Sequence, residues 1–417
     1  MTLRLTDWRM VIAMTCKMAA LILSALLTLA PATASETGSQ AVLKLHQALR
    51  PLVGPLDSVV VASPEGATMV AINADRQLVP ASILKLITVL AAWERLGEDF
   101  RFRTEFYHDR QRNLIIKGFG DPLLISERLA TIAATLAVKL PSFQGLVLDD
   151  SYFDSDLVIP GTSATEEPYD APNGALCVNF NTVAFRQKNG GWISDEPQTP
   201  LLASVIPKIR ASGLRVGRIT LAANSAEALE YTGGLFHYFF DRAGLFSKGV
   251  VTRGRVQYDK HTLIWRYYSA DNLRQVAGSL LKFSNNFIAN QILLVMGAET
   301  YGPPATIEKG LRVLNRYCGQ RLGMLVGRIV EASGISRQNR LSARTMMTAL
   351  DHFEPHHRLL RQDNRRQFYK TGHLRGVRTR AGYITSRHGG RYRFVVILNT
   401  PGKTTHPIMK IIENNLD

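Results

Sequence analysis

The sequence predicts an α+β protein: one antiparallel sheet covered by helices, interrupted by a β-rich insertion. Three observations predict it. Strand-like runs stand near the start, Ser58 to Ser63 and Met69 to Asn73, and return near the end at Phe368 to Gly372, Gly382 to Ser386 and Tyr392 to Asn399. Helix-patterned segments fill the stretch before the second set, so one sheet built from both chain ends and covered by helices is expected. From about residue 104 to 247 the texture changes to short apolar runs punctuated by Pro and Gly, the pattern of a separate β-rich segment.

Taken in order, residues 1–34 read as an export signal. Arg4, Arg9 and Lys17 form a basic start, Ala19 to Ala30 is an apolar run too short to span a bilayer comfortably, and Ala32-Thr-Ala34 offers a small-x-small cleavage site before Ser35. An uncleaved anchor is the alternative, and Lys17 argues against it by interrupting the earlier apolar run. No later segment has transmembrane length and polarity. Residues 35–50 read as a helix, and the first two strands flank a Ser63-Pro-Glu-Gly66 turn. Pro80-Ala-Ser82 opens an apolar helix to Leu96, ended by Gly97 and hydrophobic nearly all round, hence buried. Within 104–247 the strand-like runs are Leu114 to Lys117, Leu146 to Leu148, Val178 to Phe185 and Arg218 to Ala222, with one helix at 126–139. Helices are expected at 271–297, 303–318 and 342–353, then a hairpin turning at His388-Gly-Gly390 and a last helix from His406. The predicted division is 1–34 signal, 35–103 and 248–417 the two parts of the main domain, and 104–247 the insertion.

The 417 residues are 46% hydrophobic and 20% charged, enough for a large core in two domains. A formal charge of +16 points to an anionic partner. The Arg and Lys residues are scattered and no zinc-finger or RNP-like pattern accompanies them, so no nucleic acid is expected. With an export signal, an anionic envelope polymer fits better, with at most peripheral membrane contact. Of three cysteines, Cys16 leaves with the signal. Cys177 and Cys318 can pair in an oxidising compartment or stand as buried thiols; a core of this size needs no staple, which favours the second. No Cys-x-x-Cys pair occurs, and neither a metal nor an organic cofactor is implied.

Three short motifs carry the chemistry: Ser82-Ile-Leu-Lys85, Ser284-Asn-Asn286 and Lys370-Thr-Gly372. Ser-x-x-Lys places a hydroxyl and an amine one helical turn apart on one face. Ser-x-Asn adds a second hydroxyl and a carboxamide. Lys-Thr-Gly adds a cation and a strand able to pair with a peptide. This ordered set is what a penicillin-recognising serine acyl-transferase needs. A second Ser-x-x-Lys, Ser279-Leu-Leu-Lys282, is read as chance.

With these motifs the chain resembles the D-alanyl-D-alanine carboxypeptidase/endopeptidase family of class C low-molecular-mass penicillin-binding proteins, peptidase family S13. Pro80-Ala-Ser-Ile-Leu-Lys85 is similar to its nucleophile segment, Gly118-Phe-Gly-Asp-Pro122 to its Gly-x-Gly-Asp-Pro turn, and Asp170-Ala-Pro-Asn-Gly-Ala175 with Val178-Asn-Phe-Asn181 to its inserted-domain signature. Ser333-Gly-Ile-Ser-Arg337 with Asn339-Arg-Leu-Ser342 resembles its Gly-Leu-Ser-Arg segment. The resemblance runs from about residue 40 to the C-terminus and implies a serine β-lactamase/transpeptidase-like domain. Departures are Glu331-Ala332, where Asp-Gly is commoner, and His373, where a small hydroxyl residue is commoner.

On this reading Ser82 is the nucleophile and Lys85 its base, kept neutral by burial and by the nearby Lys370 cation. Ser284 relays a proton to the leaving amine, and Asn286 holds the substrate amide and orients Lys85. Lys370 binds the terminal carboxylate of the substrate, Thr371 shares it, and Gly372 lets the substrate strand approach. The backbone N–H groups of Ser82 and His373 form the oxyanion hole. The resemblance implies that Asp149 faces the active site and contacts the cationic end of a stem-peptide side chain; a plain turn aspartate is the alternative. Arg375 and Arg378 are either carboxylate-pocket or strand-surface residues. The expected protein is an exported D-Ala-D-Ala carboxypeptidase, alone or also an endopeptidase, acting on peptidoglycan stem peptides and acylated by β-lactam antibiotics. The alternatives are a serine β-lactamase or esterase, for which no Glu-x-x-Leu-Asn pattern is present between Lys85 and Ser284, and a catalytically idle peptidoglycan-binding protein.

Overall fold

Strands from both ends of the chain meet in one sheet. β1 (Asp57–Ala62) pairs antiparallel with the late strand β14 (Arg391–Leu398) from Asp57↔Leu398 to Ala62↔Arg393. β2 (Thr68–Ile72) flanks β1, and β11 (Arg361–Asp363), β12 (Gln367–Leu374) and β13 (Val377–Thr385) continue on the other side. The sheet order is β11-β12-β13-β14-β1-β2, antiparallel throughout. All six residues of β1 are buried, as its uninterrupted Val59-Val-Val61 run requires. The computed structural model describes residues 32–163, 165–221, 225–247, 249–364, 366–387 and 389–416. The export-signal reading on 1–34 therefore falls almost wholly outside the described residues, as does His388 of the predicted hairpin turn.

By its internal contacts the chain divides into Val53–Pro407 and a small unit of residues up to Leu52 with Ile408 onward. In the larger unit the Leu84–Leu96 helix is buried from Leu84 through Trp93. It packs against the Leu273–Phe283, Asn286–Tyr301, Ile307–Leu322 and Ala343–Phe353 helices. Two of these follow directly from their caps: Thr306 and Ser342 each accept a main-chain N–H of the first turn, from Lys309 and Thr345. Together with Val60, Val395 and Ile397 of the sheet, the helices share one apolar core.

Residues 101–272 build two further sheets. β3 (Arg101–His108), β4 (Leu114–Gly118), β5 (Leu146–Asp149), β9 (Val251–Arg253) and β10 (Thr262–Asn272) form a five-stranded sheet in the order β10-β3-β4-β5-β9. β6 (Thr182–Lys188), β7 (Gly191–Ser194) and β8 (Val216–Thr220) form a three-stranded one, order β7-β6-β8. A second apolar core lies among these elements. Among the described residues, no strand within 104–247 joins the six-stranded sheet. The five-stranded sheet extends beyond both predicted limits, from Arg101 to Asn272.

Helix Ser126–Lys139 stands where the sequence predicts it. A second, Ser225–Arg242, was not anticipated, because Gly233-Gly234 reads as loop punctuation. Gly233 serves packing: a Cβ there would lie 2.6 Å from Val251 Cγ1. The single helix expected over 271–297 is two helices broken at Ser284. Ser284 takes the left-handed conformation (φ 54°) after Phe283, and Asn285 caps the next helix by accepting the Ile288 N–H at 3.1 Å.

Candidate active site

Each motif reaches the site through a local feature of the chain. Ala81–Ile83 is a 3₁₀ turn that runs into the Leu84–Leu96 helix. In such a turn residues i and i+3 eclipse, which stacks Lys85 on Ser82. Lys85 Nζ lies 2.9 Å from Ser82 Oγ. Ala81, buried and non-glycine, has φ 49°, a costly conformation held by its surroundings. Two contacts secure it: the Thr379 hydroxyl of β13 donates to Pro80 O at 2.9 Å, and Gly372 lies so close that a Cβ on it would be 2.7 Å from Ser82 N.

The break at Ser284 serves the second motif. By ending one helix and starting another it brings the Ser284 hydroxyl and the Asn286 carboxamide toward the same side. Asn286 Oδ1 accepts from Lys85 Nζ at 2.8 Å. Ser284 Oγ accepts from Lys370 Nζ at 2.7 Å. Lys370 also donates to Thr371 O at 2.9 Å.

Lys85 is fully buried. Its third partner is Ser333 O, at 2.6 Å. Asn286 Oδ1 and Ser333 O only accept, so they consume two N–H bonds of the amine. The remaining position faces the Ser82 hydroxyl, which can donate to a neutral amine. Burial holds Lys85 well below the usual lysine range, the Lys370 ammonium pushes the same way, and the Glu331 carboxylate opposes them. Burial brings Lys370 down to about 8.

Beyond Tyr369, β12 has no strand on its outer side among the described residues, because β11 pairs only with Gln367–Tyr369. Lys370 to Leu374 thus present an open edge able to pair with an extended peptide. Thr371 and His373 are exposed on it and Gly372 is buried against Ser82.

Asp149 is not placed for the role expected of it. It is fully buried at the end of β5, paired with Lys117 Nζ at 2.8 Å, and accepts the N–H groups of Ser151 and Val256 at 2.9 and 2.8 Å. Burial alone would raise its pKa, and the Lys117 and Ser151 contacts with the Val256 N–H bring it below the usual value. Its charge is matched inside the protein. Arg378 spends its guanidinium on Leu374 O and Val377 O. Lys282 of the second Ser-x-x-Lys is exposed, 5.2 Å from the Phe283 ring. Cys177 and Cys318 are free and buried. His352 and His356 have a His-x-x-x-His spacing but diverge: His352 Nδ1 meets Tyr317 OH at 3.2 Å, and the His356 ring lies 4.4 Å from that of Trp93. A cavity of about 490 Å³ is lined by Asp150, Phe153, Asp154, Arg253, Arg255 and Pro304, and by none of the residues of the three motifs.

Sequence reasoning missed two members of the site. Ser333 contributes a backbone carbonyl, which no side-chain pattern signals. Glu331 was noticed only as a departure, although a carboxylate two residues before Ser333-Gly334 is itself a turn-forming signal.

The α+β arrangement of one antiparallel sheet with covering helices, and the three motifs gathered at one sheet edge, define the β-lactamase/transpeptidase-like class. The chain belongs to the D-Ala-D-Ala carboxypeptidase 3 (S13) family, whose model matches residues 52–216 and 214–362. It is 26% identical over 348 residues to a D-alanyl-D-alanine carboxypeptidase of Actinomadura sp. (strain R39), covering 70% of this chain and 63% of that protein. The chain thus spans less than two thirds of that relative's length. In fold it is similar to penicillin binding protein 4 from Haemophilus influenzae, with a TM-score of 0.70 at 18% identity, covering 89% of this chain and 98% of the other. It is also similar to a predatory endopeptidase from Bdellovibrio bacteriovorus in complex with an immunity protein, with a TM-score of 0.50 at 16% identity, covering 86% and 91%.

Proposed function

We propose that the protein is an exported serine D-Ala-D-Ala carboxypeptidase, active also as an endopeptidase on peptide cross-bridges, working through an acyl-enzyme on Ser82. One observation carries the reading: two buried lysines, each hydrogen-bonded to a serine, Lys85 to Ser82 of its own motif and Lys370 to Ser284 of another. Ser82 Oγ gives its proton to the lone pair of Lys85 and attacks the carbonyl carbon of the penultimate D-Ala. The backbone N–H groups of Ser82 and His373 hold the developing oxyanion. Lys370 and Thr371 bind the terminal carboxylate. Lys85 gives that proton, through Ser284, to the leaving amine as the C–N bond breaks, and terminal D-Ala departs with Lys85 neutral again. Water then attacks the ester and gives a proton to Lys85, which passes it to Ser82 Oγ as the acyl–oxygen bond breaks. A β-lactam follows the first half of this path and leaves the ring-opened acyl group on Ser82.

The basic start, apolar run and Ala32-Thr-Ala34 site support export to the periplasm or another extracytoplasmic envelope compartment. The matched family supports a peptidoglycan substrate. Incubation with cell-wall fragments of defined cross-linking, with products read by mass, tests the reading. Release of free D-Ala from stem peptides and of separated stem peptides from cross-linked fragments are the expected results. Persistence of both substrates, with no covalent penicillin on Ser82, rejects it.

A further inference from the structure

Glu331 precedes by two residues the carbonyl that Lys85 uses, and it is fully buried. Its carboxylate accepts the main-chain N–H groups of Ser333 at 2.6 Å, Gly334 at 2.7 Å and Ser336 at 3.3 Å. It also accepts the Ser333 hydroxyl at 2.6 Å and the side-chain amides of Asn339 at 2.7 Å and Asn290 at 3.3 Å. Only an ionised carboxylate, acceptor at both oxygens, suits so many donors; an amide or a protonated acid would turn a hydrogen against one of them.

The turn gathered in this way touches the nucleophile segment at three points. Ser333 O accepts from Lys85 Nζ at 2.6 Å. Ala332 O accepts from Thr88 Oγ1 at 2.7 Å, one helical turn further on. Gly334, with φ +84°, sits so close that a Cβ would collide with the Ala81 carbonyl. On the other side Asn290, one turn after Asn286, takes the Ala332 N–H at 2.9 Å. One carboxylate therefore fastens the turn between the helix that carries Lys85 and the helix that carries Asn286.

We infer that Glu331 is a positioning residue: a buried, ionised carboxylate that folds the 331–336 turn so that Ser333 O holds Lys85 Nζ on Ser82, and that places a negative charge beside Lys85. The inference rests on the acyl-enzyme reading of Ser82. The electrostatics agree in direction. Of the charged groups acting on Lys85, Lys370 lowers its proton affinity and Glu331 raises it. Removing the Glu331 charge lowers that affinity further, so the neutral amine forms at lower pH.

The test is the rate of acylation by a labelled penicillin as a function of pH, with the label mapped to Ser82, in the wild type, Glu331→Gln and Glu331→Asp. Glu331→Gln is expected to react about ten- to a hundredfold more slowly at neutral pH, because Lys85 is no longer held in place. Its rising limb is expected to move to lower pH by about half a unit or more. Glu331→Asp keeps the charge and is expected to keep the wild-type limb. A Gln limb that coincides with the wild type, or an Asp limb displaced as far as the Gln limb, overturns the inference. Should Glu331→Gln not fold, Ser333→Ala decides: it removes one donor and keeps the carbonyl, and an about three- to tenfold slower acylation is expected. An unchanged rate in that variant overturns the inference. Wild-type protein that takes no label on Ser82 instead removes the acyl-enzyme reading itself, a distinguishable failure.

Discussion

Lys370 Nζ donates to Ser284 Oγ at 2.7 Å, from an amine that burial has brought down to about 8. The pair joins the open sheet edge to the helix break, and it gives Lys370 two tasks in the proposed reaction. As an ammonium it attracts a carboxylate. Through Ser284 it lies on the route of the proton to the leaving amine.

The first task is separable by substrate. Lys370→Ala should weaken turnover of peptides with a free terminal carboxylate about ten- to a hundredfold more than that of their amides, the value of a charge-assisted contact. In the wild type the preference for the free carboxylate should fade as pH rises through about 8, where Lys370 loses its charge. Specificity constants for a matched acid and amide pair, measured from pH 6.5 to 9.5, check both. Equal losses on the two substrates, or a preference that does not vary with pH, reject the carboxylate clamp.

Penicillin should attach to Ser82 and leave Ser279 unlabelled. Both serines head a Ser-x-x-Lys, but Lys85 is buried and Lys282 is exposed, and burial suppresses the charge of Lys85. Lys85→Ala should slow acylation by about 10²- to 10⁴-fold, the range for loss of a general base. Peptide mapping that finds the label on Ser279, or a Lys85→Ala protein that acylates at the normal rate, refutes the assignment.

A buried lysine also leaves a mark on stability. The pKa of Lys370 is about 8 in the folded protein against 10.5 ordinarily. Between these values the unfolded chain binds a proton that the folded protein does not, so the Lys370 contribution to stability rises with pH across that window. Below about pH 8 the buried charge costs about 2–4 kcal/mol by the same linkage. Lys370→Met should therefore gain on the wild type at pH 7 and lose most of that advantage by pH 10. Urea unfolding of the two proteins at both pH values measures it, and a difference that stays constant with pH counts against a lowered Lys370.

The parts of this site that were legible in the sequence are those set by local spacing. Ser82 and Lys85 meet because three residues make one turn, and Ser284-Asn-Asn286 and Lys370-Thr-Gly372 each carry their groups within three positions. The break at Ser284 was written in the same residues, since a cap-forming Asn285 stands before Asn286, but a continuous apolar pattern on both sides hid it. Ser333 acts on Lys85 across some 250 residues through its backbone carbonyl, which leaves no side-chain pattern, and the Glu331 carboxylate acts by gathering the main-chain N–H groups of that turn. Asp149 stayed open between a ligand contact and a plain structural aspartate for the converse reason. Its partner Lys117 lies on the neighbouring strand in register with it, and such a cross-strand pair is not visible in the local sequence.

The last prediction concerns the inserted segment, which we propose forms a domain over about 104–247 that borders the cleft and guides polymeric substrate. Three hydrogen bonds fasten its Asp170–Ala175 stretch to the helix that begins at Asn286. Asn173 Nδ2 donates to Phe287 O at 3.0 Å and to Gln291 Oε1 at 2.8 Å, and Gln291 Nε2 donates to Gly174 O at 2.7 Å. Nearby, Gly161 lies against Ser336, where a Cβ would come within 2.6 Å of the Ser336 Cα, so this segment also touches the turn that holds Lys85. Asn173→Ala frees one end of the fastening and leaves a buried Gln291 oxygen short of a donor, at a cost of about 1–3 kcal/mol. The hydrogen bonds among Ser82, Lys85 and Asn286 do not pass through Asn173, so acylation by a small penicillin should change less than about threefold by this argument. Cleavage of cross-linked cell-wall fragments, which need the segment held beside the cleft, should fall about tenfold or more. Parallel measurement of the two rates in one preparation separates these effects. Equal losses would mean that the segment supports the site only through the fold, and undiminished cleavage of the fragments would mean that it takes no part in binding the polymer.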